Sequence, residues 1–363
     1  MNTWNRKNKL LLVLVVLVVL VVLVVLVVLI STSGTNSGSK YKTLKSFKEK
    51  DSRIFPFRYF EDTNENVVPY IAVTGFFRDS NAKERYYEYK SKGLNIFGIT
   101  AYKSFPNNKT LGTEEGEYER NDSFEYTSEI KNWLCCFRNP QNFGFTDYNN
   151  IVDISESDFY NAEPDSLESS KKYDFIYICN KDYDNCPLDG WNAINRNFEL
   201  AKKCFPVLCN RFKLKGLVVG RDGCGLEKEY TPDKLEVIGW LDWHKLQEKM
   251  KECRILFVPN ILDASPRIVA ECITKNLAVI MNQEILCGFK YITYETGELF
   301  TNEIDLVPAV QKLLDRLNNI SPMKWWKQHY SQEKSQKRLR DFLVSAFPKD
   351  SSLAKIDRVK FIL

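Results

Sequence analysis

Histidine is nearly absent from this sequence of 363 residues: only His244 and His329 occur, and the amino-terminal half has none. A histidine general base is thereby excluded from that half. Paired C-x-x-C motifs are absent as well, so the ten cysteines do not carry the ligand spacing of a structural zinc site. Neither sign of charge dominates. The 51 basic and 47 acidic residues leave a formal charge of +4, which gives no electrostatic reason to expect a nucleic-acid partner.

What is present begins with an apolar run. Residues 10–30 contain only Leu, Val and Ile. At about 1.5 Å per residue such a helix spans a hydrocarbon core. A secretory signal would have a shorter apolar region and a clear small-residue cleavage site, so the run reads as a retained transmembrane signal-anchor. Arg6, Lys7 and Lys9 before it favour a cytosolic amino terminus, although Lys40, Lys42, Lys45 and Lys48 follow the other end. The expectation is a single-pass, type II membrane protein with its body in a secretory-pathway lumen. Disulfides could form there, with pairing left open, and the sequons at Asn108, Asn121 and Asn319 could be glycosylated. Most cysteines nevertheless read as small buried hydrophobes, because several, such as Cys179 and Cys272, lie in apolar runs.

Residues 1–9 form a short basic tail, and residues 31–66 a Ser/Gly-rich and then basic linker. From Val67 the pattern alternates. Tyr70–Gly75 reads as a strand, Ala82–Lys90 as a helix and Leu94–Thr100 as a strand. Further strands are expected at Tyr173–Cys179, Leu214–Gly220, Leu235–Gly239, Ile255–Pro259 and Ala278–Asn282. Helical spacing separates them at Trp191–Cys209, His244–Lys251, Arg267–Thr274 and Asp305–Leu317. This predicts an α/β chain with a first Rossmann-like domain at 67–170 and a second at 171–320. A helical tail follows at 321–363, which could cross back to the first domain.

In open α/β sheets, ligands lie outside the carboxyl ends of the strands. Three segments put polar residues there. Val219-Gly-Arg-Asp-Gly-Cys-Gly225 offers close backbone approach at Gly220 and Gly223, with Asp222 beside them and Arg221 suited to a diphosphate. Gly239-Trp-Leu-Asp-Trp243 could set backbone or an aromatic face beside a base. Asp263-Ala-Ser-Pro-Arg-Ile-Val-Ala-Glu271 places one carboxylate in a loop and a second in a helix, around a phosphate-sized space.

The order of these elements resembles the carboxy-terminal domain of the group 1, GT-B-type glycosyltransferases over about 150 residues: Gly220-Arg-Asp-Gly, Val237-Ile-Gly-Trp, Ile255-Leu-Phe-Val-Pro-Asn, Asp263-x7-Glu271, and Tyr294-Glu-Thr-Gly-Glu298. More loosely it is similar to the membrane-anchored glycosyltransferase-like proteins of large DNA viruses. The resemblance implies GT-B architecture with a shortened first domain. It implies transfer of a hexose-type sugar, with retention, from a nucleotide-sugar to a glycan, protein or lipid acceptor, and no required cofactor or metal. It also implies roles. Asp263 and Glu271 form the acid pair, the first at the donor sugar and the second at the ribose. Arg221 neutralises the leaving diphosphate. Ser265, Pro266, Arg267 and Ile268 lie along the donor, with helix-start N–H groups toward phosphate.

The chain departs from the family pattern in three places. Asp263 stands where the family has Glu. Asn180 and Lys181 replace a clearer phosphate clamp, with Lys181 as a substitute. The acceptor-side histidine is missing, so an inverting mechanism would have to use Asp79 or Glu84. Two further readings stay open. Asp182-Tyr-Asp184 could hold a divalent metal as in GT-A-type transferases. Alternatively, the chain could be a catalytically inert anchored surface or assembly protein.

Overall fold

The computed structural model describes residues 55–100, 105–106, 124–162, 170–350 and 356–361. The apolar run 10–30 and the sequons at Asn108 and Asn121 lie outside the described residues. Among the described residues, no helix is long and apolar enough to cross a membrane.

Two six-stranded sheets form the frame. The first contains β1 (Phe57–Asp62), β2 (Val67–Val73), β3 (Asn95–Ile99), β4 (Asn132–Leu134), β5 (Asn150–Val152) and β12 (Val359–Phe361). Their order is β12-β1-β2-β3-β4-β5. β2 to β5 run parallel, while β1 is antiparallel to both β2 and β12. Every residue of β2 is buried, as a strand covered on both faces requires. Helix α1 (Ser80–Ser91) joins β2 to β3, and Asp79 caps it by accepting from the Ala82 N–H at 2.8 Å.

The second sheet contains β6 (Tyr173–Ile178), β7 (Gly216–Val219), β8 (Leu235–Ile238), β9 (Cys253–Val258), β10 (Ala278–Asn282) and β11 (Gly297–Phe300). Its order is β11-β10-β9-β6-β7-β8 with all pairs parallel, the doubly wound order of a Rossmann sheet. The connecting helices are α2 (Trp191–Asn195), α3 (Phe198–Phe205), α4 (Trp243–Lys251) and α5 (Arg267–Ile273), and α6 (Leu306–Arg316) follows β11. One apolar layer, with Phe198, Phe205 and Leu313, covers one face. The other, with Met250, Val269, Ile273 and Trp326, covers the opposite face.

The tail does cross back. Helix α7 (Pro322–His329) buries Trp326 in the second domain, whereas α8 (Gln332–Ala346) buries Leu339, Phe342 and Leu343 against Phe60, Tyr70 and Phe97 of the first. β12 then pairs with β1. The sequence-based boundaries shift accordingly. β1 falls inside the stretch read as linker, and the end of the tail completes the first sheet. β4 and β5, at three residues each, are too short for periodicity to reveal.

The domains are fastened along one side of the cleft between them. Cys136 of the first and Cys287 of the second form a disulfide. Asp158, 1% exposed, accepts from the Tyr291 hydroxyl and from Lys290 Nζ at 3.0 Å, while its carbonyl accepts from Ser335 Oγ of α8 at 2.6 Å. One buried residue thus ties both domains and the tail, with its carboxylate charge paired to Lys290 as burial demands.

Candidate functional site

In the second sheet the strand order reverses between β6 and β9, and the connections leave toward opposite faces there. A cavity of about 590 Å³ opens at that point, bounded by Ile178 at the end of β6 and Val258 at the end of β9. The segment after β9 supplies much of its wall: Asp263, Ser265, Arg267, Ile268 and Glu271 all line it. These five expected residues therefore share one crevice. Pro266 caps α5 at its edge.

The acids are held firmly. Asp263 accepts from Asn260 Nδ2 at 3.2 Å and from the Ser265 N–H at 3.3 Å, and it forms an ion pair with Arg196. Glu271 accepts from the Tyr160 hydroxyl and from Gln247 Nε2, each at 2.9 Å. Burial and, secondarily, the Glu271 charge push the Tyr160 phenol above its ordinary range, so it donates as a neutral hydroxyl. Ser265 Oγ bonds Ser155 Oγ at 2.8 Å and Ser157 Oγ at 3.1 Å, stitching the loop to the first domain. At the start of α5, the N–H groups of Arg267 and Val269 are spent on the carbonyls of Ser265 and Pro266. Fewer N–H groups therefore face a ligand than the helix start suggested.

The segment after β7 is placed differently, and here the sequence reading needs correction. Arg221 is 0% exposed and does not reach the cavity. Gly220, at φ +91°, turns the chain so that the next side chain points inward. The guanidinium gives two N–H groups to Cys179 Sγ at 3.1 Å, lies 3.7 Å from Asp182 and stacks 4.6 Å over the Phe198 ring. Gly220, Asp222, Gly223 and Lys181 also stay off the cavity wall. Lys181 Nζ pairs with Asp222 at 3.4 Å and with Asp184 at 3.6 Å, and a Cys186–Cys224 disulfide closes the knot. The reason is topological: β7 lies one strand beyond the switch point, so its loop ends outside the crevice.

The other candidates are used locally. Asp182 Oδ1 accepts from the Asn192 N–H at 2.7 Å and Oδ2 from the Ala193 N–H at 3.2 Å, so it caps α2, while Asp184 is fully exposed. The two carboxylates of that triplet do not converge. Asp79 caps α1, and neither it nor Glu84 lines the cavity.

Among the residues that sequence reasoning did not select, Arg58, Glu156, Tyr160, Asn195 and Arg196 line the crevice. Arg196 ends α2 as its cap, and nothing in its local spacing sets it apart from other surface arginines. Trp191 and Trp243 reach the crevice from helices on opposite layers. A second groove, of about 750 Å³, adjoins across Tyr160 and Trp243. Three of its lysines are paired locally, Lys245 with Asp242, Lys249 with Glu252 and Lys251 with Glu248, and Lys275 donates to the Glu271 carbonyl at 3.3 Å. The switch-point crevice is the better candidate because buried acids and a guanidinium converge in it.

The sequence matches no protein-family model and no curated protein. Solved structures do match in fold. Sucrose-phosphate synthase from Thermosynechococcus elongatus superposes with a TM-score of 0.52 at 12% identity, over 85% of this chain and 78% of that one. The pneumococcal O-GlcNAc transferase GtfA, in complex with UDP and GlcNAc, gives 0.50 at 12% identity, over 74% of this chain. The match spans only 56% of the GtfA chain. At such identities the likeness is one of fold: a mixed α/β chain with parallel sheets in the GT-B arrangement.

Proposed function

We propose that this chain is a glycosyltransferase that binds a nucleotide-sugar in the switch-point crevice and passes a hexose-type sugar to a glycan, protein or lipid acceptor. The observation that carries the reading is the convergence of Asp263, Glu271 and Arg196 at the β6/β9 switch point, on a fold shared with sugar-transferring proteins. Glu271 receives the ribose hydroxyls. Arg196 and Arg267 face the diphosphate, where negative charge grows as the anomeric C–O bond breaks. Asp263 stabilises positive charge at the anomeric carbon. The acceptor hydroxyl forms the new bond. Under retention its proton passes to the departing phosphate oxygen, which needs no protein base and suits the lack of histidine on the first-domain wall. No metal is assigned a role.

Residues 10–30 anchor the chain in this proposal, as a single-pass type II protein with the body in a lumen. Two disulfides fit an oxidising compartment.

One observation favours a second reading, that of an inert binding or assembly protein. Asp263 is already paired with Arg196, and each oxygen of Glu271 already accepts one internal hydrogen bond, so a donor competes with internal partners. Isothermal titration of the full chain with a panel of nucleotide-sugars separates the two. Transferase function predicts saturable binding of at least one donor, abolished by Glu271→Ala in a folded variant. A folded wild type that binds none leaves the inert reading standing.

A further inference from the structure

The first domain contributes charged side chains of its own to the crevice. Arg58 lies on β1, in register with Ala72 of the antiparallel β2. β1 enters where β2 ends, so Arg58 sits at the carboxyl edge of the parallel strands of this sheet, the edge where ligands of such sheets bind. Its neighbours Phe57 and Tyr59 are buried at 3%, whereas Arg58 is half-buried and lines the cavity. Among the described residues it has no hydrogen-bond or ion-pair partner. Arg196, by contrast, is held by Asp263.

Glu156 lines the same wall from the segment that leaves the carboxyl end of β5. Its position is fixed. Ser155 and Asp158 form a capping box around it, and Asp158 is clamped by Lys290 and Tyr291. The cavity thus holds a cation and a carboxylate on the first-domain side, besides the groups the donor uses on the second.

A half-buried guanidinium without a protein anion keeps its donors available to a ligand, and its fork geometry matches a carboxylate or phosphate. We propose that Arg58 and Glu156 form a subsite for a hydroxyl-bearing ligand that carries an anionic group. Arg58 clasps the carboxylate or phosphate, and Glu156 accepts a hydrogen bond from a hydroxyl. The ligand's role as acceptor rests on the transferase reading, while the anion preference itself does not.

Calorimetry on the full chain tests it with three probes: methyl β-D-glucuronide for a carboxylate, glucose 6-phosphate for a phosphate, and methyl β-D-glucoside as the neutral reference. One charged probe binds at least tenfold tighter than the neutral one, and which of them does so identifies the anion. Arg58→Ala and Arg58→Gln remove that preference and change nucleotide-sugar affinity by less than twofold, while Arg58→Lys keeps part of it. Two thermal unfolding curves, of wild type and Arg58→Gln, confirm that the variant compared is folded. Equal binding of charged and neutral probes by wild type overturns the subsite, and so does an unchanged preference in both neutral variants. If wild type discriminates among the probes but binds no nucleotide-sugar, the transferase reading fails and the anion site stands.

Discussion

The loops after β9 and β7 look alike in sequence, since each follows a buried strand and each brings charged residues to a strand end. The structure gives them opposite roles. The β9 loop presents Asp263 and Glu271 to a crevice, whereas the β7 loop folds Arg221 into the protein and seals itself with Lys181–Asp222 and Cys186–Cys224. The difference teaches that a strand end becomes a site through its neighbours. β9 borders the reversal of strand order, where diverging connections leave a gap. β7 is flanked by β6 and β8, and its loop finds protein on both sides.

The sharpest way to break that comparison is Arg221→Ala. If Arg221 is an internal brace, the substitution removes the ion pair with Asp182, the contact with Cys179 and the stacking on Phe198, and it costs about 3–5 kcal/mol of stability. Chemical denaturation measures this loss. A variant as stable as wild type that has lost only donor affinity would return Arg221 to the binding site.

Arg196→Ala probes the other loop. Removing the guanidinium is expected to weaken nucleotide-sugar binding by roughly 1.5–3 kcal/mol, the range for a charge-assisted hydrogen bond. Titration calorimetry reads it directly. Unchanged or tighter binding would mean that Arg196 only guards Asp263.

A pH-dependent effect concerns the buried thiols of both domains. Burial pushes the Cys135 thiol up to about 11 and those of Cys204, Cys209 and Cys253 up to about 12. Cys179, under the β7 loop, is raised as well, although Arg221 pulls it back. Unfolded thiols ionise near 9 while folded ones keep their protons, so the native state binds more protons above that pH. This contribution to stability is complete below pH 9 and is lost as pH climbs toward 11–12. Urea midpoints should therefore fall between pH 8.5 and 10.5. A flat or rising midpoint would contradict the burial of these thiols.

Much of this architecture is legible in the chain. β10 was expected at Ala278–Asn282 and occupies those residues, and α4 and α5 lie within a residue of their expected limits. Long alternating segments announce themselves because each helix or strand must bury one face with its own period. The acid pair was legible for a similar reason: Asp263 and Glu271 share one loop and helix, so local spacing carries them together. β1 was missed because ordered structure was expected only from Val67, although the aromatic run Phe57-Arg-Tyr-Phe60 already breaks with the polar linker before it. Arg58 was missed with it.

Sequence alone therefore determined the alternating elements, the doubly wound second domain and the acid pair after β9, because these depend on contacts between near neighbours in the chain. Tertiary structure alone decided that Arg221 is a brace, that Arg196 meets Asp263 across 67 residues, and that Tyr160 meets Glu271 across 111. It also decided that Cys136 joins Cys287. Such partners meet only once strand order has placed their loops side by side, and that order is set by how whole layers pack, which no local window of residues contains.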